Sequence, residues 1–198
     1  HGGTHLPDIT VVSPVFAAGG DQILFHIASR AHHADVGGIS PGSMPPHSTR
    51  IEEEGVLIDN FHLVANGELR EQAVRTLFTS GPYPVRSIEQ NLSDLRAQIA
   101  ANEKGVRELR RMVEQYGLDV VHAYMHHVQD NAEEQVRRVL DTLADGEYEQ
   151  ILDNGARVHV KVTVKRDRRT ATVDFTGTSS EQAGNFNAPK AVTRAAVL

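Results

Sequence analysis

Two clusters hold the residue types that do chemistry. The first, Arg30-Ala31-His32-His33-Ala34-Asp35-Val36-Gly37-Gly38, sets two imidazoles and a carboxylate beside a pair of glycines. The second, His1-Gly2-Gly3-Thr4-His5-Leu6-Pro7-Asp8, repeats the same residue types. Imidazole with carboxylate suits a divalent metal or a proton-transfer site. Two histidines and one carboxylate facing inward would bind an ion and leave positions open for substrate or water. Along a strand His33 and Asp35 point to one side and His32 to the other, so His32 and His33 share an ion only if the backbone turns between them. The alternative is a set of polar strand ends that hydrogen-bond loop backbone. The reading followed here has the two clusters meeting in space.

The elements that must position these clusters are legible from periodicity. Residues 9–16 (ITVVSPVF) and 22–29 (QILFHIAS) read as strands joined by a hairpin-type link, and their nearly continuous apolar character predicts burial on both faces. Residues 37–50 read as a loop, broken by three prolines and three glycines. The run from Val56 to Val64 reads as a strand before an Asn66-Gly67 turn, and Glu71 to Thr79 as a short helix. Leu92, Leu95, Ile99, Val106, Leu109 and Val113 fall at helical spacing, interrupted only by Asn102. Ser93 is the expected N-cap and Gly117 the residue past the C-terminus. A second helix from about Leu118 to Ala144 carries Val121, Met125, Val128, Ala132, Val136, Val139 and Leu143, and the short break predicts an antiparallel αα-hairpin. Beyond Asp145-Gly146 the period becomes two, and 147–152, 156–165 and 170–176 read as an antiparallel meander. The fold class is therefore α+β: buried N-terminal strands, a long helical hairpin, then the meander. The expected regions are 1–85 with the His/Asp clusters, 86–145 as the hairpin, and 146–198 as the meander and the start of a further helix.

Three further groups invite a functional reading beside a plain one. His122 and His126 lie on one helical face, but HExxH is absent and the face continues with Gln129, Asp130 and Glu133, so a solvated face is the default. Thr176-Gly177-Thr178-Ser179-Ser180 offers hydroxyls and N–H groups that can cradle an anion, although it is no Walker loop. Asn185 and Asn187 can orient an amide or carboxylate, or simply satisfy turn backbone. His26, His47, His62 and His159 have no second cluster nearby and read as ordinary.

Composition narrows the classes. The 198 residues include no cysteine, which excludes a disulfide framework, a thiolate nucleophile and a Cys-type zinc site, and agrees with a cytoplasmic location. The formal net charge of -6 and the scattered basic residues argue against nucleic acid. No apolar run approaches the roughly 18 residues of a membrane span, and no signal peptide is visible. The sequence starts within a Gly/His cluster and stops in the apolar stretch Val192 to Leu198, which reads as an internal piece of a longer protein.

Taken together, HGGTHLPD, RAHHADVGG with PGSMPP, IEEEGVLIDN, NEKGVREL, AYMHHVQDNAEE, and DFTGTS with GNFNAP resemble the hydantoinase B/oxoprolinase family, with AYMHHVQDNAEE pointing toward its 5-oxoprolinase branch. The resemblance covers essentially the whole chain, with the motifs in family order. It implies a hydrolase of cyclic amide C–N bonds that opens 5-oxo-L-proline to L-glutamate, or a hydantoin, with ATP hydrolysis. ATP would be handled by a hydantoinase A-type subunit or domain, not bound by this chain, and the B half would complete ring opening of a phosphorylated lactam. The resemblance also implies a divalent metal (Mn, Zn or Mg) on His5 and Asp8, with His32 or His33 as third ligand; His32 is carried as the ligand, and His33 and Asp35 as the proton-transfer residues. Thr178 and Ser179 would hold phosphate, and Asn185 and Asn187 the amide or carboxylate. An oligomer is expected of the full protein, and no turnover of the isolated chain. The alternatives are a B-type subunit of an acetone- or acetophenone-type carboxylase, and a non-catalytic scaffold that docks the A half through the hairpin, with Arg107, Arg110 and Arg111 as the contact charges.

Overall fold

The computed structural model describes residues 5–42 and 44–198. Residues 1–4, with the His1-Gly2-Gly3-Thr4 part of the second cluster, and residue 43 lie outside the described residues. The chain divides into two compact units. The first holds the described residues up to Arg110 together with 182–196, and the second holds 111–181.

In the first unit, β1 (Asp8–Phe16) and β2 (Ile23–His32) form an antiparallel hairpin. Its burial alternates, with Ile9, Val15 and Phe25 buried and Val12, Phe16 and Ile23 exposed. The expectation of strands buried on both faces is therefore corrected: only one face is covered. That inner face meets α2 (Ile88–Tyr116). Asn102 Nδ2 donates to the Val11 carbonyl and to Ser13 Oγ, and a Cβ on Gly105 would sit 3.2 Å from two carbons of Ile27. The missing side chain of Gly105 thus lets Ile27 pack close to the helix.

α2 begins five residues before the expected cap, so Ser93 lies inside the helix; Asn91 N–H already bonds the Ser87 carbonyl at 3.3 Å. α1 (Glu71–Thr79) spans the residues read from the sequence. Arg75 bonds both Glu71 and Glu89, tying α1 to the start of α2. Ile9, Val36, Val56, Val74, Phe78, Val85, Leu92 and Leu95 make the core of this unit. Burying a side chain such as Phe78 or Leu92 contributes about 1.5–3 kcal/mol.

The run from Val56 to Val64 is not the strand expected. Only Val64–Ala65 (β3) pairs, with Glu68–Leu69 (β4), across the Asn66-Gly67 turn, whose positive φ values of 52° and 81° suit a tight hairpin. Left-handed backbone at Asn60 (φ 45°) breaks the extension, so no continuous ladder forms. The run instead supplies core contacts through Val56, Ile58, Phe61 and Leu63.

In the second unit, α3 (Leu118–Thr142) follows Gly117, the residue expected past the end of α2, whose φ of +84° is one that glycine adopts freely. The seam that an antiparallel hairpin would bury is open on α3. Val121 is buried, but Met125, Val128, Val136 and Val139 are exposed. The meander forms as read: β5 (Gly146–Ile151), β6 (Arg157–Lys165) and β7 (Thr170–Asp174) pair antiparallel in chain order. Arg169, left-handed at φ 49°, closes the β6–β7 turn and bonds Glu134 of α3 at 3.0 Å. The hydrogen bonds from Arg169 and Arg138 hold the Glu134 carboxyl at about 2. α4 (Lys190–Val197) belongs almost wholly to the first unit. Among the described residues no helix is long and apolar enough to cross a membrane.

Candidate functional site

Backbone pairing explains how the two clusters meet. β2 does not stop where its apolar run stops but continues through Arg30 to His32, and the register sets Asp8 opposite His32. His32 Nδ1 lies 3.0 Å from Asp8 Oδ1. The turn before β1 brings in His5: Asp8 N–H bonds the His5 carbonyl, and His5 Nε2 lies 3.6 Å from Asp8 Oδ1. The His5 and His32 rings are 4.8 Å apart, tilted by 45°. Each of His5, Asp8 and His32 offers a ligand atom within 4.8 Å of the others. His5 and Asp8 are half-buried and His32 is exposed, so the cluster opens to solvent on one side. Two imidazoles and a carboxylate at this separation fit a divalent ion by donor type and by spacing. A cavity of about 540 Å³ adjoins the cluster, with His5 and Asp8 on one wall and Val12, Leu57, Ile58 and Phe61 among its apolar lining.

His33 stands on the other side of the strand. It is fully buried with both ring nitrogens engaged: Asn91 Nδ2 approaches Nδ1 at 3.1 Å, and Gln98 Oε1 lies 3.1 Å from Nε2. Gln98 Nε2 donates to the Ile9 and Ser29 carbonyls, which leaves its Oε1 to accept and assigns the ring proton to Nε2. The His33 N–H donates to the Pro7 carbonyl, which also accepts from Ile9 N–H. One carbonyl thereby ties the His5–Asp8 turn to the residue next to His32. Asn91, Gln98 and Asn102 escaped the sequence reading as site supports. Their signal was available as three amides on the buried face of an amphipathic helix.

Asp35 is committed to a clasp. Its carboxylate accepts from the N–H groups of Gly37 and Arg86 and from the Arg86 guanidinium. Burial pushes this carboxyl up, but the Arg86 and Gly37 N–H groups and the Arg86 charge together hold it below its ordinary value.

The hydroxyl loop lies in the second unit. Thr178 Oγ1 accepts from His159 N–H and donates to the His159 carbonyl, while Ser179 Oγ accepts from Arg157 N–H. Both side chains thus continue the edge of β6 beyond the end of β7. Asn187 bonds Gln182 and Gly184 within its own turn. Asn185 Nδ2 holds the Pro45 carbonyl at 2.9 Å. His126 is exposed beside Gln129, Asp130 and Glu133, the solvated face expected.

His159, read as ordinary, pairs with Glu147 at 3.0 Å. The hydrogen bond that its Nε2–H donates to Glu147 raises this imidazole above its ordinary 6.5, and the same bond lowers the Glu147 carboxyl below 4.5. The raised group stabilises fully below pH 6.5 and loses its contribution as pH climbs through its folded value. The lowered group stabilises fully above pH 4.5 and loses its contribution on acidification. The pair is therefore most stabilising between these ordinary values. An NMR titration is expected to place His159 above 6.5, and Glu147→Gln to bring it down; a midpoint indifferent to that substitution contradicts the pairing.

Fold and site define an α+β domain that carries a two-histidine, one-carboxylate cluster on the open face of a β-hairpin. The profile of the Hydantoinase B/oxoprolinase family matches residues 1–198, and the chain belongs to that family. It is 47% identical over 221 residues to 5-oxoprolinase 1 of Arabidopsis thaliana, covering all of this chain but only 17% of that protein. Among solved structures it resembles the ATP-dependent caprolactamase from Pseudomonas jessenii, with a TM-score of 0.69 and 28% identity over 86% of this chain and 30% of that one. It also shares the fold of nucleotide-free acetone carboxylase, with a TM-score of 0.85 and 18% identity over 99% of this chain and 28% of that one.

Proposed function

We propose that this chain is the ion-holding part of an ATP-dependent hydrolase that opens a cyclic amide, with 5-oxo-L-proline the first choice and a hydantoin the second. The observation that carries the reading is the convergence of His5, Asp8 and His32 beside a cavity with apolar walls. Likeness to 5-oxoprolinase 1 and to the caprolactamase supports the reaction class. His5, Asp8 and His32 would hold the divalent ion, which when bound supplies Lewis-acid polarisation of a substrate oxygen. The chain's own residues do the rest. Pro7 and His33 fix the His5–Asp8 turn against the end of β2, and Asn91 and Gln98 keep His33 in one orientation. We assign His33 and Asp35 to support rather than to proton transfer, because their polar atoms are taken up inside the protein. The ATP-handling step falls, on the family likeness, to a hydantoinase A-type partner.

The test is metal content. The full-length protein is expected to bind manganese, zinc or magnesium stoichiometrically, and a His5→Ala/Asp8→Ala variant to lose the ion and ring opening together. Intact turnover in that variant removes the metal assignment. Offering 5-oxoproline, hydantoin, and a ketone with bicarbonate side by side separates the amidohydrolase from the carboxylase that the acetone carboxylase fold brings in as second reading.

A further inference from the structure

An arginine stands next to the cavity beside the metal cluster, bonded to one of the residues that line it. In the β1–β2 register Thr10 lies opposite Arg30, two pairs along from Asp8 opposite His32, so all four side chains rise from the outer face of the hairpin. Arg30 Nε donates to Thr10 Oγ1 at 2.9 Å, and Thr10 lines the cavity. Arg30 Nη1 stands 3.9 Å from Asp8 Oδ2, which is beyond hydrogen-bonding distance. Thr10 thus anchors one of the five N–H donors of the guanidinium beside the cavity, and Asp8 forms a long ion pair with Arg30 without accepting a hydrogen bond from it. A planar fork so placed matches a carboxylate in bidentate geometry. Leu57, Ile58 and Phe61 line the cavity as well, and Val12 extends its lining along the face of β1 that carries Thr10, so apolar surface suited to ring methylenes adjoins the arginine.

We infer that this cavity is the substrate subsite and that Arg30 is its specificity-determining residue, selecting a small lactam that bears a ring carboxylate. This rests on the cyclic-amide reading above. The ring lies on Phe61 and Leu57, its carboxylate pairs with Arg30, and its amide faces His5 and Asp8. The inference moves substrate recognition away from Thr178, Ser179 and Asn187, whose polar atoms are used by the backbone around them.

The test compares 5-oxo-L-proline with its carboxamide, which keeps the shape and removes the charge. Both are measured on the full-length, metal-loaded protein as KM and as calorimetric Kd without ATP. Wild-type protein is expected to prefer the acid by tenfold or more. Arg30→Gln should erase that preference by weakening the acid alone, with metal content unchanged, and Arg30→Lys should restore part of it. Phe61→Ala should weaken both compounds alike. A preference retained in Arg30→Gln overturns the assignment of Arg30. An equal loss on both compounds points to an oxyanion common to both reactions, the transferred phosphoryl group, and overturns the carboxylate anchor. Wild-type protein that holds its metal but binds neither these compounds nor a hydantoin refutes the cyclic-amide reading itself, before any variant is made, whereas binding of a hydantoin alone keeps that reading and overturns the carboxylate anchor.

Discussion

Gly37→Ala is expected to destabilise the protein by roughly 3–5 kcal/mol, in the range reserved for backbone clashes and strained dihedrals. Gly37 has φ +92°, and a Cβ built there lies 2.1 Å from the carbonyl oxygen of Tyr83. That oxygen is backbone and cannot swing aside. It also accepts from Gly38 N–H at 3.2 Å, so moving it breaks a hydrogen bond. The same short stretch forms the Arg86 clasp: Gly37 N–H bonds Asp35, and the Arg86 guanidinium bonds the Gly37 and Gly38 carbonyls at 3.2 and 2.7 Å. The damage therefore spreads to Asp35 and, through the four-residue link, toward His32. Gly19→Ala is the matched control. Gly19 also has positive φ (+71°) but nothing lies within 4 Å of its built Cβ, so only the left-handed penalty of about 1–2 kcal/mol remains. Denaturation midpoints measured on both variants decide the matter. Equal losses would show that dihedral strain, and not the Tyr83 contact, sets the need for glycine.

How much of this could be read in advance depended on whether side chains or backbone set the outcome. Helices α1 and α3 and the meander announced themselves through their apolar periods, although only on α1 is that stripe buried, at Val74 and Phe78, while on α3 Met125, Val128, Val136 and Val139 are exposed. The end of β2 did not. Its apolar run stops at Ala28, yet Arg30 and His32 sit on the solvent face and keep pairing, since ladder hydrogen bonds belong to the backbone and tolerate polar side chains on a wet face. Those last residues set His32 opposite Asp8, so the choice of His32 over His33 as partner of Asp8 rests on register. The run from Val56 to Val64 failed in the opposite sense: it is apolar enough for a strand, but Asn60 turns left-handed and breaks it. The hydroxyls of Thr178 and Ser179 and the amide of Asn187 were legible as polar groups in loops, but not as groups already paired with nearby backbone. In the sequence Asn102 interrupts the apolar line of α2. It is a connection, since the helix uses amides at 91, 98 and 102 to reach the hairpin that carries the cluster.

Gln98→Leu is expected to be the most damaging of the amide replacements, by roughly 3–5 kcal/mol. The side chain makes three contacts: Nε2 donates to the Ile9 and Ser29 carbonyls, and Oε1 accepts from His33 Nε2. Leucine is close in size and suits the buried face, so packing is largely preserved. What it leaves behind is a buried imidazole N–H without its acceptor, at about 1–3 kcal/mol, and two backbone carbonyls of the hairpin that each lose the amide donor that supplements their ladder pairing. His33→Leu alone strands the Gln98 oxygen and the Asn91 donor in the same way. With both replaced, the imidazole and the amide disappear together, so the pair is expected to lose less than the sum of the single variants, with a coupling of about 1–3 kcal/mol. Strict additivity would mean that the two side chains do not act as one unit. The same cycle reads out on the ion: His33 adjoins His32 and holds the Pro7 carbonyl, so Gln98→Leu should weaken metal binding about tenfold or more, as loss of outer-shell support does. A variant destabilised as predicted but with unchanged metal affinity would separate the stability of the hairpin from the geometry of the cluster, and would place the control of that geometry in the β1–β2 register alone.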